Sequence, residues 1–193
     1  MGQKGSKKLN NSEESKVSTV ITELDQSTIR TALIMIGKNE HCKTATDIKD
    51  WFEDSPDGRI EVNDFEQVHK SGDSRKGETF DVKLQRYLSQ STGILVICSE
   101  ELKSCIDNKS VVDITVNGVK VSLNGELVLN FLEEGDNKSK VIPLLGTREH
   151  LPTCLENNTC YIEIPGDNIN EDRLEMICTE IRGKLEEFHS KKK

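Results

Sequence analysis

Apolar and polar positions alternate along this chain in blocks whose length and period predict a layered α/β domain. Residues 31–36 (Thr31-Ala32-Leu33-Ile34-Met35-Ile36), 93–98 (Gly93-Ile94-Leu95-Val96-Ile97-Cys98) and 141–145 (Val141-Ile142-Pro143-Leu144-Leu145) are apolar runs, and residues 160–164 (Cys160-Tyr161-Ile162-Glu163-Ile164) make a last one. Runs of this length without a polar face predict strands covered on both sides, as in a parallel sheet. A shorter strand, residues 59–62, follows the turn Pro56-Asp57-Gly58. Helical spacing fills the intervals. Ile48, Trp51 and Phe52 share a face within residues 44–54, with Thr44 or Thr46 as the predicted cap. Phe80, Leu84, Tyr87 and Leu88 form a second stripe, and Ser99 is placed to cap a helix opening Glu100-Glu101-Leu102. Residues 126–134 are read as a helix with Leu127, Phe131 and Asn130 inward. Leu174, Ile177, Cys178, Ile181, Leu185 and Phe188 spell an amphipathic closing helix. Residues 64–77 are polar and read as a long exposed loop.

One segment breaks the alternation. Val112-x-Ile114-x-Val116 and Val119-x-Val121-x-Leu123 flank Asn117-Gly118, a strong short-range hairpin signal. Strands and helices otherwise alternate throughout. This predicts a flavodoxin-like, doubly wound three-layer sandwich with a five-stranded, mainly parallel sheet and an inserted β-hairpin.

Composition narrows the picture. Of 193 residues only 34% are hydrophobic and 4% aromatic, so the core must rest on a few dense strands. Residues 1–27, rich in Ser, Lys, Glu and Asn, read as a flexible tether, with residues 17–24 a short helix or strand inside it; residues 28–190 are the folded domain. A net charge of −8 argues against nucleic-acid binding, which needs a basic face. There is no apolar run long enough to span a bilayer and no signal-peptide core. The six cysteines are therefore expected to be reduced, and their spacing suggests no zinc site. The Asn-x-Ser/Thr sequons at Asn10, Asn108, Asn137 and Asn157 are expected to be unused.

The first eight residues carry candidate chemistry of their own. Met1-Gly2-Gln3-Lys4-Gly5-Ser6-Lys7-Lys8 fits the myristoylation pattern, with Gly2 as the acceptor amine and Ser6 at the hydroxyl position. A single myristoyl chain binds membranes marginally and needs a second signal. Lys4, Lys7 and Lys8 supply one, at about 1 kcal/mol each near an anionic leaflet. The expectation is a cytoplasmic protein held reversibly on the cytosolic face of a membrane. Elsewhere, Gly72-Asp73-Ser74-Arg75-Lys76-Gly77-Glu78-Thr79 imitates a phosphate loop but has Glu78 where the lysine belongs, and no apolar strand immediately precedes it. No Ser/His/Asp or Cys/His arrangement is readable, and no cofactor is implied.

The order of segments resembles the TIR superfamily, and within it the SEFIR branch. Residues 85–99, Gln85-Arg86-Tyr87-Leu88-Ser89-Gln90-Ser91-Thr92-Gly93-Ile94-Leu95-Val96-Ile97-Cys98-Ser99, resemble the helix, third strand and "I-x-S" exit of that branch. Val141-Ile142-Pro143-Leu144-Leu145, then Glu149-His150-Leu151-Pro152-Thr153-Cys154-Leu155 and Asn158-Thr159-Cys160-Tyr161, resemble its "F-I-P-V-L" and "E-H-V-P-T-x-L-x-N-T" stretches. The similarity runs over about residues 30–185. The Asn117-Gly118 hairpin has no counterpart in that pattern.

The resemblance implies a signalling adaptor of the innate-immune type, working through homotypic contacts with a SEFIR or TIR receptor or adaptor and with its own copies. It points to residues 64–77 and 99–106 as contact surfaces, with Lys70, Asp73, Arg75, Lys76, Glu100 and Glu101 as the residues carrying them. The alternative it offers is NAD glycohydrolase activity, as in some TIR domains. Counted back from Val141-Ile142-Pro143, the family's glutamate position falls on Asn130, and Glu126 lies one turn earlier. An amide cannot stabilise the positive charge that develops as the nicotinamide bond breaks, and a carboxylate about 6 Å away is out of position. Glu126 is then a first-turn carboxylate favoured by the helix dipole.

Overall fold

Successive residues of each central strand enter opposite cores. The computed structural model describes residues 28–37, 39–56, 58–70, 78–116, 118–158, 160–165 and 169–191. In β1 (Ile29–Met35), Ala32 and Ile34 face one core while Ile29 and Leu33 face the other. In β3 (Gly93–Cys98) the same division separates Ile94 and Val96 from Leu95 and Ile97. Every residue of β3 is buried, which is why its sequence shows no polar alternation.

One core lies under α1 (Asn39–Glu53), through Ala45, Ile48 and Phe52, and under α6 (Glu171–Lys191), through Ile177, Cys178, Ile181 and Leu185. The opposite core is covered by α2 (Phe65–Lys70), α3 (Phe80–Gln90), α4 (Glu100–Asp107) and α5 (Gly125–Glu133), together with the hairpin of β4 (Val111–Val116) and β5 (Val119–Asn124). With β2 (Ile60–Asn63), β6 (Val141–Leu145) and β7 (Ile162–Glu163), the main sheet runs β2-β1-β3-β6-β7, every pair parallel. That is the flavodoxin-like three-layer order expected from the sequence. The hairpin forms a separate two-stranded sheet in the register the Asn-Gly signal predicts, Val116 opposite Val119.

Four sequence expectations are corrected. Helix α1 begins at Asn39, so Thr44 and Thr46 lie inside it rather than at its N-cap. The first half of the predicted loop 64–77 is helix α2. Asp64 Oδ1 accepts from the amides of Glu66 (2.8 Å) and Gln67 (3.2 Å), while Asp64 N donates to Gln67 Oε1 (3.3 Å). This reciprocal capping pair satisfies the orphan amides of a first turn. On α5 Phe131 is buried as expected and Leu127 half-buried, but Asn130, expected to point inward, is exposed, and Val128 and Leu132 fill the core in its place.

The last strand shrinks from the predicted residues 160–164 to two. Pro143 has no amide to give a ladder, and pairing of β6 with β7 starts one residue later, Leu144 opposite Ile162. Ahead of the proline, the Asn158 side chain takes the place of a strand, its Nδ2 donating to the Val141 carbonyl at 3.1 Å.

Candidate functional site

Parallel strands bring all their β-to-α turns to one edge of a sheet, and in open α/β sheets ligands and partners are met there. At this edge a crevice of about 390 Å³ opens beyond the end of β1. Its floor is Met35, Ile36 and Ala45; Asp64, Phe65 and Glu66 form one wall, and four consecutive residues of β4, Asp113 to Val116, form the other. The hairpin therefore overhangs the crevice and presents Ile114 and Val116 to it. The rim is acidic. Asp64 and Glu66 are partly matched, by Lys49 at 3.3 Å and by Lys70 respectively. Asp113 is exposed and accepts from Ser122 Oγ at 2.8 Å. Among the described residues no Lys, Arg or His lines the crevice itself.

Ser99 ties this edge together. Its hydroxyl accepts from the Leu102 amide at 3.0 Å, capping α4, and donates to the Ile36 carbonyl at the end of β1. It is fully buried. Ser99→Ala is expected to lose the cap and strand the Ile36 carbonyl, together about 1–3 kcal/mol. Urea unfolding monitored by circular dichroism measures this, and an unchanged midpoint would refute the dual role.

Helix α4 is held on one flank by the chain that follows β6. Lys103 Nζ donates to the Leu151 carbonyl (2.8 Å), and both oxygens of Asp107 accept from Thr153, from its amide at 2.9 Å and its hydroxyl at 3.0 Å. The Pro152-Thr153 dipeptide is thereby explained as an anchor. No local pattern in the sequence marks Asp107, whose partner lies 46 positions away.

Of the surface residues named from sequence, Lys70 is exposed at the end of α2 and pairs with Glu66. Glu100 is exposed and Glu101 half-buried in the first turn of α4, where carboxylates complement the helix dipole. Both helices start at the carboxyl edge of the sheet, and α2 starts in the crevice wall. Asp73, Arg75 and Lys76 lie outside the described residues, as do Gly2, Lys4, Lys7 and Lys8.

Glu126 stands elsewhere. Its amide donates to the cap Asn124 at 3.0 Å, and its exposed carboxylate sits 3.8 Å from Lys109 Nζ. With Gln85, Asn130 and Glu134 it lines a shallow groove between α3 and α5, and it is absent from the walls of the crevice.

Cys98, Cys105 and Cys178 are packing residues of the two cores. Burial pushes the thiols of Cys98 and Cys178 up to about 12 and that of Cys154 up to about 11, so these three are protonated at neutral pH and poor nucleophiles. Among the described residues no His, Cys, Asp and Glu cluster has the arrangement of a metal site.

No family model matches the sequence, and no curated protein does. The fold, however, is similar to that in the crystal structure of a prokaryotic SEFIR domain. The two share 13% identity with a TM-score of 0.52, and the match covers 82% of this chain and 99% of that one. At that identity the likeness establishes a common fold, the one the sequence resemblance implied.

Proposed function

We propose that this chain is a membrane-tethered signalling adaptor that works through homotypic contacts between SEFIR/TIR-type domains. The observation that carries this reading is the match to a SEFIR domain over nearly that domain's whole length. TIR-like domains of this kind act by pairing with one another. Two further features support it. The crevice rim is acidic, which opposes a dinucleotide, and Glu126 lies outside the crevice on an exposed helix turn.

The contact surface proposed is the carboxyl edge of the sheet: Lys70, Asp73, Arg75 and Lys76 after β2, and Glu100 and Glu101 at the start of α4. Residues 1–27 would hold this edge near anionic lipid through a Gly2-linked myristoyl group assisted by Lys4, Lys7 and Lys8. Tethering raises the effective concentration of copies for one another and for membrane-bound partners.

Sedimentation velocity tests the homotypic part. The wild-type chain is expected to self-associate, and Arg75→Glu with Lys76→Glu to shift it toward monomer by about tenfold or more in dissociation constant, since like charges are set against each other. Incubation with NAD tests the alternative: nicotinamide release that disappears in Glu126→Ala would overturn an adaptor-only role. Gly2→Ala, with the fold intact, is expected to move the protein out of the membrane fraction.

A further inference from the structure

The crevice is half apolar, half acidic, and the chain carries a segment of matching chemistry. Residues 2–9 hold three cations, Lys4, Lys7 and Lys8, and no carboxylate. Leu9 is the one large apolar side chain between residues 2 and 16. Floor and walls offer Met35, Ile36, Phe65, Ile114 and Val116 to an apolar side chain, and to neighbouring cations Asp113, with Asp64 and Glu66 already shared with Lys49 and Lys70.

Length permits the contact within one molecule. Leu9 precedes residue 28 by 19 positions. A random-coil chain of that length has an r.m.s. span of roughly 25 Å. The described chain begins at the amino end of β1, and the crevice lies past its carboxyl end, seven residues on. Seven extended residues cover about 23 Å. Span and linker match, the condition under which effective concentration peaks, in the millimolar range.

We propose that this chain's own N-terminal segment docks in the crevice, with Leu9 on the apolar floor and Lys7 and Lys8 against the carboxylates of Asp113 and the Asp64–Glu66 wall. The docking rests on the tether reading for its consequence. The lysines that engage an anionic membrane are withheld while the segment is docked, and the edge proposed for homotypic contact is partly covered. Anionic lipid competes for the same lysines and frees both. The overhanging hairpin is what gives the crevice its second wall, so the device depends on an element the resemblance does not account for.

Backbone amide resonances of the full-length, ¹⁵N-labelled chain test this without a membrane. Lys7→Glu with Lys8→Glu, and separately Leu9→Asp, are expected to shift the amides of Phe65, Thr115 and Val116 in the same direction. Dilution of the wild type should leave those amides unmoved. Amides indifferent to both variants would overturn the proposal, and shifts that vanish on dilution would overturn the intramolecular assignment. Vesicles containing phosphatidylserine should reproduce the variant shifts, whereas neutral phosphatidylcholine vesicles should not. Asp113→Asn is expected to raise the affinity for anionic vesicles, about tenfold if the docked form is ~90% populated. Glu156→Gln removes the same charge from an exposed site outside the crevice and should not; equal gains in both would overturn the assignment. Wild-type binding to anionic vesicles that is lost in Lys7→Glu with Lys8→Glu, alongside unmoved crevice amides, would leave the tether standing and remove the docking alone.

Discussion

Gly125→Ala is expected to be among the most damaging single substitutions in this domain. A Cβ at this position would lie 2.0 Å from the Cys105 carbonyl oxygen and 2.9 Å from that of Ser110. Both obstacles are backbone, and neither can rotate away. Gly125 N also donates to the Ser110 carbonyl at 2.8 Å, so moving α5 aside to admit a methyl group breaks the bond that seats it. The first turn of α5 rests directly on the end of α4, and the two helices share the core of Leu102, Val128 and Leu132. Overpacking of this kind costs about 1–3 kcal/mol where side chains can adjust and more where they cannot. A loss of about 4 kcal/mol or more is expected here. Chemical denaturation should show a collapsed midpoint or an insoluble product. A cooperative transition within ~1 kcal/mol of wild type would mean that the α4–α5 contact is looser than the geometry indicates.

Leu95→Ala should cost about 2–5 kcal/mol by a different route. Leu95 sits in the middle of β3, fully buried, in the core shared with α1 and α6. Deleting its side chain opens a void that rigid strand neighbours on both sides, Leu33 and Ile142, cannot close. The crevice shares Leu33 and Ala45 with this core, so its wall should relax together with the void. Partner binding by Leu95→Ala should therefore fall in affinity as well as in amplitude. An unchanged dissociation constant at reduced amplitude would show that the crevice is insulated from the core it shares.

How much of this was legible in the sequence divides along a physical line. Long apolar runs such as residues 93–98 and 141–145 predicted their strands because burial on both faces leaves a mark in every residue. The hairpin was equally plain, since the Asn117-Gly118 turn and period-two alternation agree. Helix α2 was missed because only Phe65 and Val68 of its six residues reach the core, too few for a periodic stripe. The D-x-x-Q pair of Asp64 and Gln67 was nevertheless present as a capping signal. The start of α1 was misplaced because threonines at good cap spacing proved to be interior. At the candidate site, the acidic and basic positions could be named, but the crevice could not. It is made by β1, β2–α2 and β4, segments up to about 80 residues apart in sequence, and only the overhang of the hairpin turns them into a single cavity. Asp107 and Thr153 show the same limit, because neither residue type announces a partner so distant.

The treatment of Pro143 has a consequence for how such a domain can multiply. On the β6–β7 side the main sheet stops at a two-residue strand, and one of its outer carbonyls is already occupied by the Asn158 amide. On the other side it ends in β2, four residues long, with Glu61 exposed at its centre. Short, charged and side-chain-plugged margins of this kind are poor templates for another backbone. Copies that accumulate on a surface can then stack through helices and turns without their main sheets fusing. High local density, which drives many exposed strands toward amyloid, would then be tolerable for the main sheet in the tethered assembly proposed above.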